Sequence, residues 1–329
     1  MSALFATVRG KFCAAVGELL TAWDQFFFAP IDLYNVSLFR CLFGIAIFFM
    51  YLERDYAVGV FFMNHGIVPV SQALAIIPEG YKPIIPLFLQ TDRGIQLQLI
   101  AHLVLIALFA VGAFGRSLTW LLFFVNLGLN QRNFSIVYGA DLFANCWLFY
   151  LSFVDHNRHF SIWNLIKGSD AKAGRVLTPG RECAIFDSDV LSSFGVRLLQ
   201  IQLCISYAFT GFEKLKGVRW WEGTAVWYVI GMEDLIPHDL AFMKHYPVVI
   251  AVLSMATVVF EVYFIFAVWS KKLRYPWLFV GFLFHLGTAV FMGLWYFFLV
   301  MTAPYLLFLP NVRDMVSAVW RSERIGKAA

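Results

Sequence analysis

Residues 194–223 read "FGVRLLQIQLCISYAFTGFEKLKGVRWWEG". The first twenty are oily enough to cross a bilayer, apart from Arg197 and two glutamines. The stretch then breaks into Glu213, Lys214, Lys216 and Arg219 before the Trp220–Trp221 pair and Glu222. A membrane span that ends in clustered charge and tryptophan fixes both the fold class and the place to look for function.

The rest of the chain agrees with the first half of that reading. Its 329 residues are 60% hydrophobic, 18% aromatic and only 14% charged. Soluble domains carry about 25% charge, and no polar stretch longer than about 35 residues exists here to build one. A polytopic all-α membrane bundle follows. The length rule gives about eight spans, near residues 36–52, 95–114, 116–136, 140–154, 190–213, 246–269, 276–293 and 295–310. The segment 220–231 is too short to cross and too apolar for a free loop, which suggests a re-entrant or interfacial helix. Proline-rich residues 54–94 are too broken for a span and are expected to cap the bundle together with 216–245.

At the N-terminus Leu4, Phe5, Val8, Phe12, Leu19, Trp23 and Phe27 recur at helical spacing opposite Arg9, Lys11, Glu18 and Asp24. This predicts an amphipathic helix lying in the membrane interface, or equally one packed on the bundle from the cytosol. The organisation is then an interfacial helix over 1–29, a transmembrane domain over 30–312 and a short basic tail over 313–329. Basic residues concentrate in alternate loops, among them Arg116, Arg158, Lys172, Arg175, Lys271, Lys272 and Arg313. By the positive-inside rule both termini face the cytoplasm, as expected of a multi-pass protein of a bacterial inner membrane.

Ionisable groups at membrane depth mark candidate sites. Arg40 and Glu261 count to similar depths and are expected to form a structural ion pair. Arg132 and Asn133 fall at the turn between the third and fourth spans, where Asp141 reads as a helix cap. Lys214 either snorkels to water or, beside apolar walls, serves as a neutral amine base, with Glu213 or Glu222 as possible charge partners. His285 is too deep to snorkel and needs a partner or a ligand. His102 reads as an interhelical hydrogen-bonder. The five cysteines and the remaining histidines show no metal-like spacing, so no metal and no disulfide framework is expected.

Four segments together carry a family resemblance. "YAFTGFEKLKGVRWWEG" (207–223), "PIDLYNVSLFRCLFG" (30–44), "NQRNFSIVYGADLF" (130–143) and "LFHLGTAVFMGLWYFFLVMTAPYLLFLP" (283–310) occur in the order seen in the HTTM family. That horizontally transferred transmembrane domain includes vitamin K-dependent gamma-glutamyl carboxylase. The resemblance implies proton-transfer and redox chemistry on a quinone-like ligand such as a vitamin K-type hydroquinone, with O2 and CO2 as co-substrates in the carboxylase-like case. It puts the lysine base at Lys214 and the family's late histidine at His285. Arg132, Asn133, Trp221 and Glu222 become ligand-binding candidates. Phe134 stands where the carboxylase has a histidine, and the chain reaches Ala329 soon after its last span, so carboxylation of a protein glutamate is not expected. The rival expectation is a non-catalytic protein that holds a lipid or an exported peptide for a partner enzyme. Membrane lipids are expected partners in either case; nucleic acid is not.

Overall fold

The computed structural model describes residues 2–76, 91–166, 188–232 and 238–314, and among these it is helical with no strand. Lys172, Arg175, the prolines at 78, 83 and 86 and the tail beyond Asp314 lie outside the described residues.

The helices are α1 (Ser2–Phe28), α2 (Tyr34–Tyr56), α3 (Val58–Phe61), α4 (Val70–Ile76), α5 (Asp92–Ala110), α6 (Gly115–Arg132) and α7 (Gly139–Leu151). They continue with α8 (Ile162–Ile166), α9 (Ser188–Leu215), α10 (Val218–Trp221), α11 (Ala225–Ile230), α12 (Pro247–Ala267), α13 (Arg274–Met292) and α14 (Trp295–Thr302), the last extended by a 3-10 turn, Ala303–Phe308. Among the described residues, five segments are long and apolar enough to cross a membrane: Tyr34–Arg54, Asp92–Ala110, Asp189–Leu215, Pro247–Ala267 and Arg274–Met292. The chain is therefore a helical membrane protein. The outward-facing side chains support this, since Leu42, Ile45, Phe49, Val252, Phe266 and Phe279 are exposed on those helices, as lipid contact requires.

Local chemistry sets the helix limits. Asp32 accepts a hydrogen bond from the Tyr34 amide at 2.7 Å and starts α2. Thr91 caps α5 by accepting from Gly94 N at 3.2 Å. Asp141 caps the start of α7, as the sequence predicts, by accepting a hydrogen bond from the Tyr138 amide at 3.0 Å. The same carboxylate forms a two-pronged ion pair with Arg54 at 2.5 and 2.7 Å and accepts from the Tyr51 hydroxyl at 3.1 Å.

Side-chain bonds show which helix ends meet. At one end, Asn35 of α2 donates to the carbonyls of Leu306, Leu309 and Pro310, and Gln200 of α9 to that of Leu307. Arg116 at the start of α6 reaches Ser192 at the start of α9, and Arg158 after α7 pairs with Asp189 at 2.6 Å. At the opposite end, the last turns of α2 and α6 meet the first turn of α7 through Tyr51, Asn130 and Asp141. Successive long helices thus run up and down.

Arg40 holds the first of these ends together, and the expected ion pair with Glu261 is not formed. Its guanidinium is fully buried and donates to five carbonyls: Phe109 and Ala110 at 2.9 and 2.6 Å, Phe160 and His159 at 2.6 and 3.3 Å, and His156 at 3.3 Å. The physical reason is that α5 stops at Ala110, leaving C-terminal carbonyls that only a multi-donor side chain can satisfy away from water. Gly112 makes this possible. It has φ +75°, and a Cβ there would approach the Arg40 nitrogens to 3.0 Å. His156 completes the knot, its ring nitrogens bonded to Thr119 Oγ1 at 2.8 Å and Asn157 Oδ1 at 2.9 Å. Burial, with the Arg40 charge second, pushes its pKa down to about 3, so the ring is neutral.

The last turn of the N-terminal helix docks on α9. Phe27 and Phe28 meet Phe194 of α9 at ring separations of 5.9 Å, and Arg197 donates to the Phe26 carbonyl at 2.8 Å. Phe12, Leu19, Leu20 and Trp23 on the preceding turns are exposed.

Candidate functional site at the α9–α12 seam

α9 and α12 pack along most of their length because Gly211 lets them approach. A Cβ at Gly211 would come within 2.9 Å of the Val262 amide nitrogen and 3.1 Å of Glu261 Cβ. This close crossing sets Glu261 level with the last turns of α9, where Lys214 meets it. The Lys214 ammonium lies 2.9 Å from Oε1 and 2.7 Å from Oε2 of Glu261, the Oε1 contact having hydrogen-bond angles. The carboxylate is almost fully buried, and the lysine side chain is 22% exposed. Lys214 therefore neither points into bulk water nor stands alone. Glu213, one of the acids expected beside it, instead pairs with Lys216 at 2.6 Å.

Around the pair the wall is aromatic. Trp220 presents its ring 5.4 Å from the Lys214 Nζ, a cation–π contact. The expected short helix over 220–231 is two helices, α10 and α11, divided at Gly223 with φ +69°. Ser254 of α12 ties them down by accepting from Val226 N at 3.1 Å. Between α10 and α12 lies a groove of about 250 Å³, walled by Trp220, Trp221, Val258, Val259, Val262 and Tyr263. Trp221 lines it, is well exposed, and donates its indole N–H to the Leu215 carbonyl at 2.7 Å. Glu222 is exposed at the C-cap of α10.

His285 occupies the interior of the same helix cluster. Its Nε2 lies 2.6 Å from the Tyr207 hydroxyl, itself 2.6 Å from the Tyr305 hydroxyl. All three are buried, walled by Phe260, Phe264, Phe284 and Phe297. The His285 Nδ1 is buried with no hydrogen-bond partner among the described residues. Tyr207 and Lys214 are seven residues apart on α9, so they share a face about 10 Å apart along it. The structure thus places Lys214 and His285 in two adjoining polar clusters joined through α9, and neither side chain lines the groove itself.

The remaining candidates behave differently. Arg132 donates to the carbonyls of Phe62 and Val68 at 2.5 and 3.1 Å, and Asn133 to that of Phe61 at 2.7 Å. Both are buried and fasten the segment around α3 to α6, so their polar groups serve the fold. Phe134 is exposed on a one-turn 3-10 helix beside them.

Comparison with family models, with curated proteins and with solved structures returns no match. The functional reading therefore rests on the site itself.

Two groups of the site escaped the sequence. Tyr207 and Tyr305 looked like ordinary apolar-span residues, although Tyr207 carries a helical-face signal by standing seven residues before Lys214. Glu261 stood out as ionisable, but nothing local identifies its partner. No group of three or more metal-ligating side chains occurs among the described residues.

Proposed function

We propose that this protein is an integral membrane protein that handles a proton on a quinone-like or lipidic ligand held in the α10–α12 groove. The observation that carries the reading is a lysine–glutamate pair directly behind the wall of an apolar, aromatic groove, whose lining residues Leu215 and Val262 adjoin the pair in sequence and whose Trp220 touches the Lys214 ammonium. Ion pairs are weak sources of stability, whereas a pair one side chain behind a ligand-sized hollow is placed to exchange a proton with a ligand that reaches past Trp220. For a phenolic or hydroquinone hydroxyl brought within reach, the Glu261 carboxylate takes the hydroxyl proton and becomes a neutral carboxylic acid, while the Lys214 ammonium stabilises the phenolate left behind. Trp220, Trp221 and Tyr263 offer flat faces for a ring. In the fuller form suggested by the resemblance to the HTTM family, the ligand is a vitamin K-type hydroquinone and O2 and CO2 are co-substrates.

The frame of this proposal is an eight-crossing bundle in which α6, α7 and α14 with its 3-10 turn cross together with the five longer helices. The turns of α1 before its docked end rest in the interface, for which Phe12, Leu19 and Trp23 supply an apolar face. Both termini are cytoplasmic, in a bacterial inner membrane, and the groove faces outward. A cysteine placed at Lys271 should resist a membrane-impermeant thiol reagent in intact cells; its labelling from outside reverses the orientation.

The groove is tested by titrating purified protein with a water-soluble naphthoquinone while following tryptophan fluorescence. Saturable quenching should appear in the wild type and weaken at least tenfold in Val259→Trp, which fills the groove from its exposed wall and leaves the Gly211 crossing alone. Equal quenching in both puts the ligand elsewhere. The Lys214–Glu261 contact also favours a second reading. An ammonium held by a carboxylate is a poor base, so the groove could serve only to hold a lipid or an exported peptide for a partner enzyme.

A further inference from the structure

A larger cavity, of about 470 Å³, opens at the opposite end of the bundle from the groove, where α2, α9, α12, α13 and the Ala303–Phe308 turn converge. Two arginines enter it from different helices: Arg197, two turns into α9, and Arg274, the first residue of α13. Their positions are fixed on one side only. Arg197 spends Nε on the Phe26 carbonyl at 2.8 Å and one Nη1 hydrogen on Gln200 Oε1 at 2.8 Å. Arg274 spends Nε on the Val268 carbonyl at 2.9 Å. The outer nitrogens of both, Nη2 of Arg197 and both terminal nitrogens of Arg274, make no hydrogen bond among the described residues. The two guanidiniums are close enough to repel each other.

One acid, Asp32, shares the cavity, but its oxygens are already taken by the Tyr34 amide and the Asn311 side chain. The lining therefore keeps an excess of positive charge with planar donor forks to spare. The rest of the wall is oily, from Phe26, Trp269, Leu307 and Phe308. Phe26 belongs to the docked last turn of α1, so the cavity lies where that helix joins the bundle.

Two like charges sharing a half-apolar hollow are unfavourable unless an anion joins them. Guanidinium forks match phosphate oxygens two at a time. The apolar wall beside them matches an acyl chain, and basic pockets between transmembrane helices bind anionic headgroups in this way. We propose that this cavity binds a phosphate-bearing anion between Arg197 and Arg274, namely the headgroup of an acidic phospholipid whose chain runs along Phe26 and Trp269. The site is independent of the groove beside Lys214 and of any chemistry there.

The test is native mass spectrometry of the purified full-length protein with phosphatidylglycerol, phosphatidylcholine or inorganic phosphate added at equal concentration. Phosphatidylglycerol should bind saturably. Phosphatidylcholine, whose ammonium the arginines repel, should bind at least tenfold more weakly. Arg274→Gln should weaken phosphatidylglycerol about tenfold or more, and Arg274→Lys, which keeps the charge and loses the fork, should fall between. Arg197→Gln should act likewise. Should it fail to fold through loss of its Phe26 bond, the two Arg274 variants decide, since Arg274 touches a single carbonyl. Inorganic phosphate binding as tightly, with the same dependence on Arg274, keeps the anion site and makes its source soluble. Phosphatidylglycerol and phosphate affinities that ignore the Arg274 substitutions overturn the proposal.

Discussion

Arg40→Gln is expected to destabilise the protein by about 4 kcal/mol or more, the largest effect of any single substitution outside the aromatic core. Five carbonyls converge on that guanidinium, and glutamine can satisfy at most two of them. The others would remain dry, each at a cost of about 1–3 kcal/mol if unrelaxed. Because Arg40 and Glu261 share no partner, Arg40→Gln and Glu261→Gln should add to within about 0.5 kcal/mol in detergent melts. A strong coupling between them contradicts the carbonyl knot. Acid should attack the same place. His156 is held neutral in the fold, with a pKa of about 3 against an ordinary 6.5. Between those values the unfolded chain binds the proton and the folded one does not. Its contribution to stability is whole above pH 6.5 and declines by about 1.4 kcal/mol per pH unit on acidification, until pH 3. His156→Gln should flatten the pH dependence of melting by that amount, and an unchanged slope means the ring is solvated.

The second large effect is at the seam. Lys214→Met leaves the Glu261 carboxylate alone at 5% exposure, which should cost about 2–3 kcal/mol, less than for a fully buried pair because the lysine keeps some water contact. Adding Glu261→Gln should restore most of the loss, since no charge is then stranded. Any turnover of a hydroquinone should nevertheless fall by about 10²–10⁴-fold in the double variant, the usual share of a positioned proton-transfer group. A double variant that regains stability and keeps full turnover reduces the pair to structure. Measuring both quantities on the same preparations separates a folding role from a chemical one.

The five helices long enough to span were legible to within a few residues, because hydropathy and length suffice for membrane spans. The fifth reads as 190–213 and is observed as Ser188–Leu215; the seventh reads as 276–293 and is Arg274–Met292. The second ends four residues early, at Ala110, where positive-φ Gly112 and Gly115 force a turn that hydropathy does not register. Partner choice was the illegible part. Counting residues from the span ends put Glu261 beside Arg40. α12, however, overshoots the end of α9 to pack on α10 and α11, which carries Glu261 up to the level of Gly211 and Lys214. An arginine that satisfies carbonyls and one that pairs with an acid also look alike in sequence, since a carbonyl leaves no mark there. The charged turn after α9 was visible as a site, while the Tyr305–Tyr207–His285 chain needed three helical elements to be brought together.

The claim that a quinone-like ligand occupies the groove beside Lys214 and Glu261 is tested most directly by what the protein carries out of its membrane. Wild type and Val259→Trp would be purified in parallel from cells of a quinone-producing host, and their lipid extracts compared by mass spectrometry. The account predicts a quinone enriched over its membrane abundance in the wild type and reduced to background in Val259→Trp, with phospholipid retained by both. Phospholipid alone in the wild-type extract, or a quinone equally abundant in the filled variant, contradicts it.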